Sequence, residues 1–189
     1  MNEHRFERLR VLVVDDNHHM INLVKTILRG FGIKEVFEAH DAVEAFEIMR
    51  GTQMDFLIVD IAMEPLSGIE FVKLLRTADD SPSPYVPIIM LTAYSERTHV
   101  AAARDAGATE FCAKPVTATE IYRKVAAVVN QPRSFIKTSA FFGPDRRRHK
   151  LASHEGRERR EKSAGMLSGL KQQKAADEHE VDPKPGSSD

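Results

Sequence analysis

The chain has 189 residues, enough for one domain of ordinary size with an appendage or for two small domains. Hydrophobic residues make up 42% of it but crowd into the first two thirds, and the formal charge of −1 hides an asymmetry: residues 1–130 carry 14 basic against 19 acidic side chains, residues 131–189 carry 13 against 9. An acidic globule lacks the continuous cationic face that nucleic-acid backbone binding needs, the single Cys112 excludes an internal disulfide framework, and no apolar run reaches signal-peptide or membrane-spanning length, so the cytoplasm is the expected location.

After a charged lead over residues 1–8, short apolar runs alternate with amphipathic stretches up to Asn130, the pattern of βα units feeding a parallel sheet. Leu9–Val14 is nearly all apolar and reads as a strand buried on both faces. Met20–Arg29 follows as a helix with Ile21, Val24, Ile27 and Leu28 on one side, ended by Gly30 and Gly32. Glu35–Ala39 is a more polar strand, suited to a sheet edge. Asp41 can cap the next helix with Glu44 completing a capping box, and Val43, Phe46 and Met49 are expected to face inward.

Phe56–Asp60 is the third strand, and Gly68–Arg76 its helix, with Ile69, Val72 and Leu75 at helical intervals. Polar, Pro-rich Thr77–Pro84 reads as a loop. Pro87–Thr92 makes the fourth strand, Thr98–Ala106 a helix stopped by Gly107, and Glu110–Ala113 a short fifth strand that buries Cys112 as an inert thiol. Thr117 and Glu120 open the last helix, with Ile121, Val125 and Val128 on its core side. The sum is a (βα)₅ three-layer domain over residues 9–130, followed by an extension over 131–189. Prolines, glycines and charge clusters such as Arg146-Arg147-Arg148 make that extension read as mostly disordered. Its stretch 135–148 is unusually aromatic for a disordered tail, which leaves docking and free solvation equally open.

In a parallel α/β sheet, ligands sit at the carboxyl ends of the strands. Those ends carry Asp15 and Asp16, Asp60, Thr92 and Lys114. Three converging carboxylates need a cation, and an all-oxygen set without ligand-spaced Cys or His suits a hard ion such as Mg²⁺. The lysine supplies a second positive charge and the threonine a hydroxyl, so the patch suits a phosphoryl group. Asp60, the lone acid ending the central strand, is the candidate nucleophile for an aspartyl-phosphate, and the pair Asp15-Asp16 is better placed to hold metal. Taken singly, each of these residues could equally be a helix cap or a solvated strand end. His18 and His19, adjacent and beside the pair, read as solvent-facing rather than as ligands.

The ordered set resembles the receiver domains of two-component response regulators, chemotaxis-type single-domain members included. Val14-Asp15-Asp16 matches the acidic pair of that family, and Ile58-Val59-Asp60 with Met63, Pro65 and Gly68 matches its phospho-acceptor strand and loop. Leu91-Thr92-Ala93 matches the switch threonine, and Lys114-Pro115 the lysine followed by a commonly cis proline; together these cover about residues 8–130.

The resemblance implies a doubly wound, flavodoxin-like five-stranded sheet and a signalling module rather than an enzyme. It also implies Mg²⁺ held by Asp15, Asp16, Asp60 and the backbone carbonyl of Ala62. Asp60 would take a phosphoryl group from a sensor histidine kinase or a phosphotransfer protein, Thr92 would move toward that group, and Phe111 would follow as an aromatic switch residue. Output would be binding to a downstream protein the sequence does not name, with phosphorylation-dependent homodimerisation left open.

Two departures stand out. Proline follows Met63 one position late, in Met63-Glu64-Pro65, and Ala62 and Tyr94 offer no acid or amide to orient an attacking water, which predicts slow self-dephosphorylation. Two other classes compete. A DNA-binding regulator would have to rely on the basic tail, because residues 131–189 show no helix-turn-helix pattern. A phosphatase of the haloacid dehalogenase type would place its nucleophile in an Asp-x-Asp arrangement after the first strand, where this chain has Asp15-Asp16-Asn17.

Overall fold

The structure, a computed structural model, describes residues 6–93, 97–138 and 141–145, with 97–99 as backbone only. Five βα units follow one another: β1 (Arg10–Val14), α1 (His18–Gly30), β2 (Glu35–Ala39), α2 (Ala42–Gly51), β3 (Phe56–Asp60), α3 (Gly68–Thr77), β4 (Ile88–Ala93), α4 (Arg97–Ala106), β5 (Glu110–Lys114) and α5 (Ala118–Asn130). The strands form one sheet in the order β2-β1-β3-β4-β5, every pairing parallel. This is the (βα)₅ three-layer domain the alternation predicts, in the doubly wound, flavodoxin-like order the family resemblance implies.

Alternate residues of each buried strand serve opposite layers, as the period of two requires. Leu12, Val14, Leu57, Val59, Ile88 and Met90 pack beneath α2, α3 and α4 with Met49, Phe71, Val72 and Leu75. On the other side Val11, Val13, Phe56, Ile58, Ile89, Leu91 and Cys112 meet Ile21, Val24 and Leu28 of α1 and Ile121, Val125 and Val128 of α5.

One helix face differs from expectation. In α2 the buried stripe is Ala42, Ala45 and Met49, with Phe46 packed at its margin, while Val43 is 66% exposed. Small side chains fill the face of the helix that meets the sheet, and a reading weighted by side-chain size prefers Val43 to them. Caps follow the local chemistry. Asn17 caps α1, Asp41 caps α2, Ser67 and Glu70 form a full capping box on α3, and Thr117 caps α5.

The extension departs from the expected disorder at its start. Two short antiparallel strands, β6 (Phe135–Lys137) and β7 (Phe142–Pro144), form a hairpin packed against α3 and α4. Aromatic content explains the difference: Phe135 and Phe142 stack edge-on with Tyr85, at ring-centroid distances of 5.5 Å and 5.0 Å, and bury apolar surface that a solvated tail would expose. The expectation of disorder for residues 146–189, including the arginine cluster 146–148, lies outside the described residues.

Candidate functional site

The strand order reverses direction between β1 and β3, and the crevice at that switch point opens at the strands' carboxyl ends. Register brings the acids there. Val14 pairs with Val59, and one step further along both strands lie Asp15 and Asp60. Carboxylate oxygens of Asp15, Asp16 and Asp60 lie within 4.8 Å of one another, with Asp15 and Asp60 buried and Asp16 exposed. The ammonium of Lys114, at the end of β5, stands 2.9 Å from Asp60 Oδ1 and 3.7 Å from Asp15 Oδ2.

Backbone donors hold the two buried acids in place. The N–H of Ile61 donates to Asp60 Oδ1 at 2.8 Å, and the N–H of Asn17 donates to Asp15 Oδ1 at 2.9 Å. Asn17 therefore does two jobs, since its own side chain accepts from His19 and Met20 to start α1. Asp15 Oδ2 is buried and has no hydrogen-bond partner among the described residues. Burial raises the Asp15 carboxyl above its ordinary value of 3.8, and the nearby charges of Asp60 and Asp16 add to this; the Asn17 N–H and Lys114 oppose it. A buried carboxylate oxygen that accepts no hydrogen bond, among crowded acids, fits a hard divalent cation, which relieves both penalties at once.

Gly68 shapes the loop that returns from β3 to α3. A Cβ there would lie 1.9 Å from the backbone oxygen of Asp60, and the Gly68 N–H donates to Ile61 O at 3.0 Å. No side chain fits at this position.

Thr92 ends the buried part of β4, and its hydroxyl donates to the Ala93 carbonyl at 3.3 Å. Phe111, on β5, is partly buried against the layer beneath α2–α4, with β4 between its strand and the one that ends in Asp60. Ala62 is exposed, two residues after Asp60, and the peptide between Lys114 and Pro115 is cis, as is that between Glu64 and Pro65. Tyr94 lies outside the described residues. His18 and His19 are exposed as expected, although His18 stacks on His40 with ring centroids 4.1 Å apart. The structure thus gathers Asp15, Asp16, Asp60 and Lys114 at one point, places Thr92 at its rim, and leaves Phe111 apart from it.

Sequence reasoning overlooked Asn17 and Arg76. Asn17 was legible as a cap-type residue directly before a helix. Arg76 was not, because nothing in its neighbourhood marks a charged residue at a helix end as 3% exposed.

Comparison with known proteins agrees with this geometry. The model of the response regulator receiver domain family matches residues 11–126. The chemotaxis protein CheY-3 of Vibrio cholerae is 30% identical over 119 residues, 63% of this chain and 90% of that protein. The chemotaxis protein CheY of Pseudomonas aeruginosa is 29% identical over 120 residues, 64% of this chain and 95% of its own. The solved structure of chemotaxis protein CheY4 of Vibrio cholerae aligns with a TM-score of 0.58 and 30% identity, covering 64% of this chain and 98% of that one. An acid pair, a central aspartate and a lysine meeting at the switch point of this fold, over the residues the family model matches, place the chain in the response regulator receiver domain family.

Proposed function

We propose that Asp60 accepts a phosphoryl group from the phosphohistidine of a sensor histidine kinase or phosphotransfer protein, and that the signal leaves the chain through phosphorylation-dependent protein binding. The observation that carries this reading is the pairing of Asp60 with Lys114 at 2.9 Å beside Asp15, whose buried Oδ2 accepts no hydrogen bond among the described residues. Asp60 Oδ1 is occupied by the Ile61 N–H and the lysine, which makes Oδ2 the attacking atom. As the Oδ2–P bond forms, the P–N bond of the phosphohistidine breaks and its electron pair stays on the imidazole nitrogen.

Lys114 would hold one phosphoryl oxygen by a charge-assisted hydrogen bond, and the Thr92 hydroxyl would turn from the Ala93 carbonyl to another, with Phe111 following it inward. Asp15, Asp16, Asp60 and the backbone carbonyl of Ala62 would hold Mg²⁺, which when bound neutralises charge on the equatorial oxygens of the transferring group. Ala62 presents only a methyl group toward an incoming water, so the acyl phosphate should persist; a lifetime of only seconds in Mg²⁺ would contradict this.

Acetyl phosphate with Mg²⁺ tests the acceptor directly. Intact-mass measurement should find one phosphoryl group on the wild-type chain and none on Asp60→Ala. Retention of the label by that variant would reject the assignment.

A further inference from the structure

The hairpin at the start of the extension packs against α3 and α4, at the end of the sheet opposite Asp60. Arg76, at the end of α3, is buried and among the described residues carries no acid partner; its guanidinium donates to the carbonyls of Pro84 (2.8 Å), Val86 (2.7 Å) and Gly107 (3.2 and 3.1 Å). Burial pushes it down to about 9, which still leaves it charged at neutral pH. The Phe135 ring closes over that cation, 5.0 Å from its carbon.

Two glycines let the backbones touch. A Cβ on Gly107, whose φ is +105°, would lie 2.9 Å from the Phe142 oxygen, and a Cβ on Gly143 would lie 2.8 Å from Gly107 Cα. A third anchor is Glu110, which takes Arg133 at 2.6 Å and Lys124 of α5 at 3.1 Å. Paired glycines, a capped guanidinium and a shared carboxylate mark this contact as built, and all of the hairpin lies beyond the residues the family model matches.

The anchors fall on the two strands that serve the acid cluster. Val86 leads into β4, where the Ile88 N–H donates to the Thr109 hydroxyl and the Thr109 N–H to the Ile88 carbonyl; the far end of β4 carries Thr92. Glu110 begins β5, whose far end carries Lys114. With the hairpin seated, the Thr92 hydroxyl donates to Ala93 and not to Asp60. A charged ligand on Asp60 is a stronger acceptor than that carbonyl and would draw Thr92 and Lys114 toward itself, displacing the same strands that the hairpin pins at their other ends.

We propose that the hairpin is an intramolecular restraint matched to the unloaded site, so that loading Asp60 weakens its docking and releasing it strengthens loading. The proposal rests on the reading of Asp60 as phosphoryl acceptor. Linkage makes it quantitative, because the factor by which loading loosens the hairpin must equal the factor by which loosening the hairpin tightens loading.

The test uses the full chain and beryllium fluoride with Mg²⁺, a non-covalent stand-in for the phosphoryl group. Because the chain has no tryptophan, binding is followed by calorimetry or ¹⁹F NMR. Hairpin docking is followed by hydrogen exchange at the Thr138 and Asp145 amides, which donate to Phe141 and Ser134, and by tryptic cleavage after Lys137. The ligand should speed exchange and cleavage by about five-fold or more, the low end of typical couplings. Gly143→Val, which collides with Gly107, and Phe135→Ala, which uncovers Arg76 and removes the ring stacked on Tyr85, should each bind the ligand more tightly, by no more than that factor.

Unchanged or slower cleavage on loading, or unchanged affinity in both variants, would overturn the restraint. An Asp60→Ala chain that still binds the ligand would instead overturn the acceptor reading. Binding that needs Asp60 while the hairpin stays indifferent overturns the linkage alone.

Discussion

Lys114 places one ammonium between two buried acids, 2.9 Å from Asp60 and 3.7 Å from Asp15, so a side chain from the fifth strand partly neutralises charges presented by the first and third. Replacing it with glutamine leaves those carboxylates facing each other. Lys114→Gln should therefore lose about 1–2 kcal/mol of stability in EDTA, less than a fully buried pair would because the lysine is partly exposed. Saturating Mg²⁺ should recover most of the loss. Denaturant unfolding with and without Mg²⁺ measures both, and equal losses in the two conditions would mean that the lysine and the cation do not share a task.

Asp15 is raised from 3.8 chiefly by burial, so in the metal-free protein its ionised form is destabilised by folding. The sign follows. Below 3.8 the carboxyl is protonated in both states and contributes nothing; as pH rises toward its folded value the unfolded state releases a proton the native state keeps, and stability falls. Asp15→Asn should remove that slope and stabilise the metal-free chain at neutral pH, while weakening Mg²⁺ binding by about ten-fold or more. A variant less stable than wild type in EDTA would show that Asp15 is needed structurally even without the cation.

The sequence made the acid cluster legible because its three acids stand at the ends of two continuous apolar strands, and a parallel sheet delivers all such ends to one rim. Lys114 was legible for the same reason. What stayed hidden depends on contacts between distant segments. Val43 looks like a core residue in its own helix, and only the way α2 turns onto the sheet buries Ala42 and Ala45 instead. Arg76 needs Phe135, nearly sixty positions later, before its burial makes sense, and the hairpin in turn needs the groove that Arg76 and Gly107 build. A segment whose partner is a surface rather than a neighbouring strand shows only its composition, and Gly143-Pro144 followed by arginines reads as a breaker in isolation.

Gly68 fixes where the Asp60 side chain stands. With a Cβ 1.9 Å from the Asp60 carbonyl oxygen and 2.9 Å from its carbon, Gly68→Ala forces the backbone at Asp60 and Ile61 to move. Backbone atoms in a central strand yield poorly, so the cost should be about 3 kcal/mol. The functional loss should be larger than the stability loss suggests. A displacement of ~1 Å at a reacting group costs on the order of 100-fold in rate, and acetyl-phosphate labelling of the folded fraction reads it. Wild-type labelling in a folded Gly68→Ala chain would show that this approach does not position the acceptor.

Cys112 lies fully buried in β5, two residues before Lys114, and burial pushes its thiol up from 9.0 to about 11. At pH 8 only about one molecule in a thousand carries the thiolate, roughly a hundredfold fewer than for a thiol at its ordinary value. Alkylation by iodoacetamide should therefore be slower in the native chain than in the denatured one by more than a hundredfold, because opening must precede reaction. The same shift has a consequence for stability. Between 9.0 and about 11 the unfolded state gives up a proton the native state retains, so folding weakens as pH rises, by about 2–3 kcal/mol across the window. Cys112→Ala also leaves a small cavity, but that cost does not depend on pH. The difference between the stability curves of Cys112→Ala and wild type therefore isolates the thiol: it should stay flat to pH 9 and then narrow, as the wild type loses stability that alanine cannot lose. A difference that remains constant through pH 11 would show that Cys112 ionises equally in both states, and rapid native-state alkylation at pH 8 would show that β5 opens far more often than its packing implies.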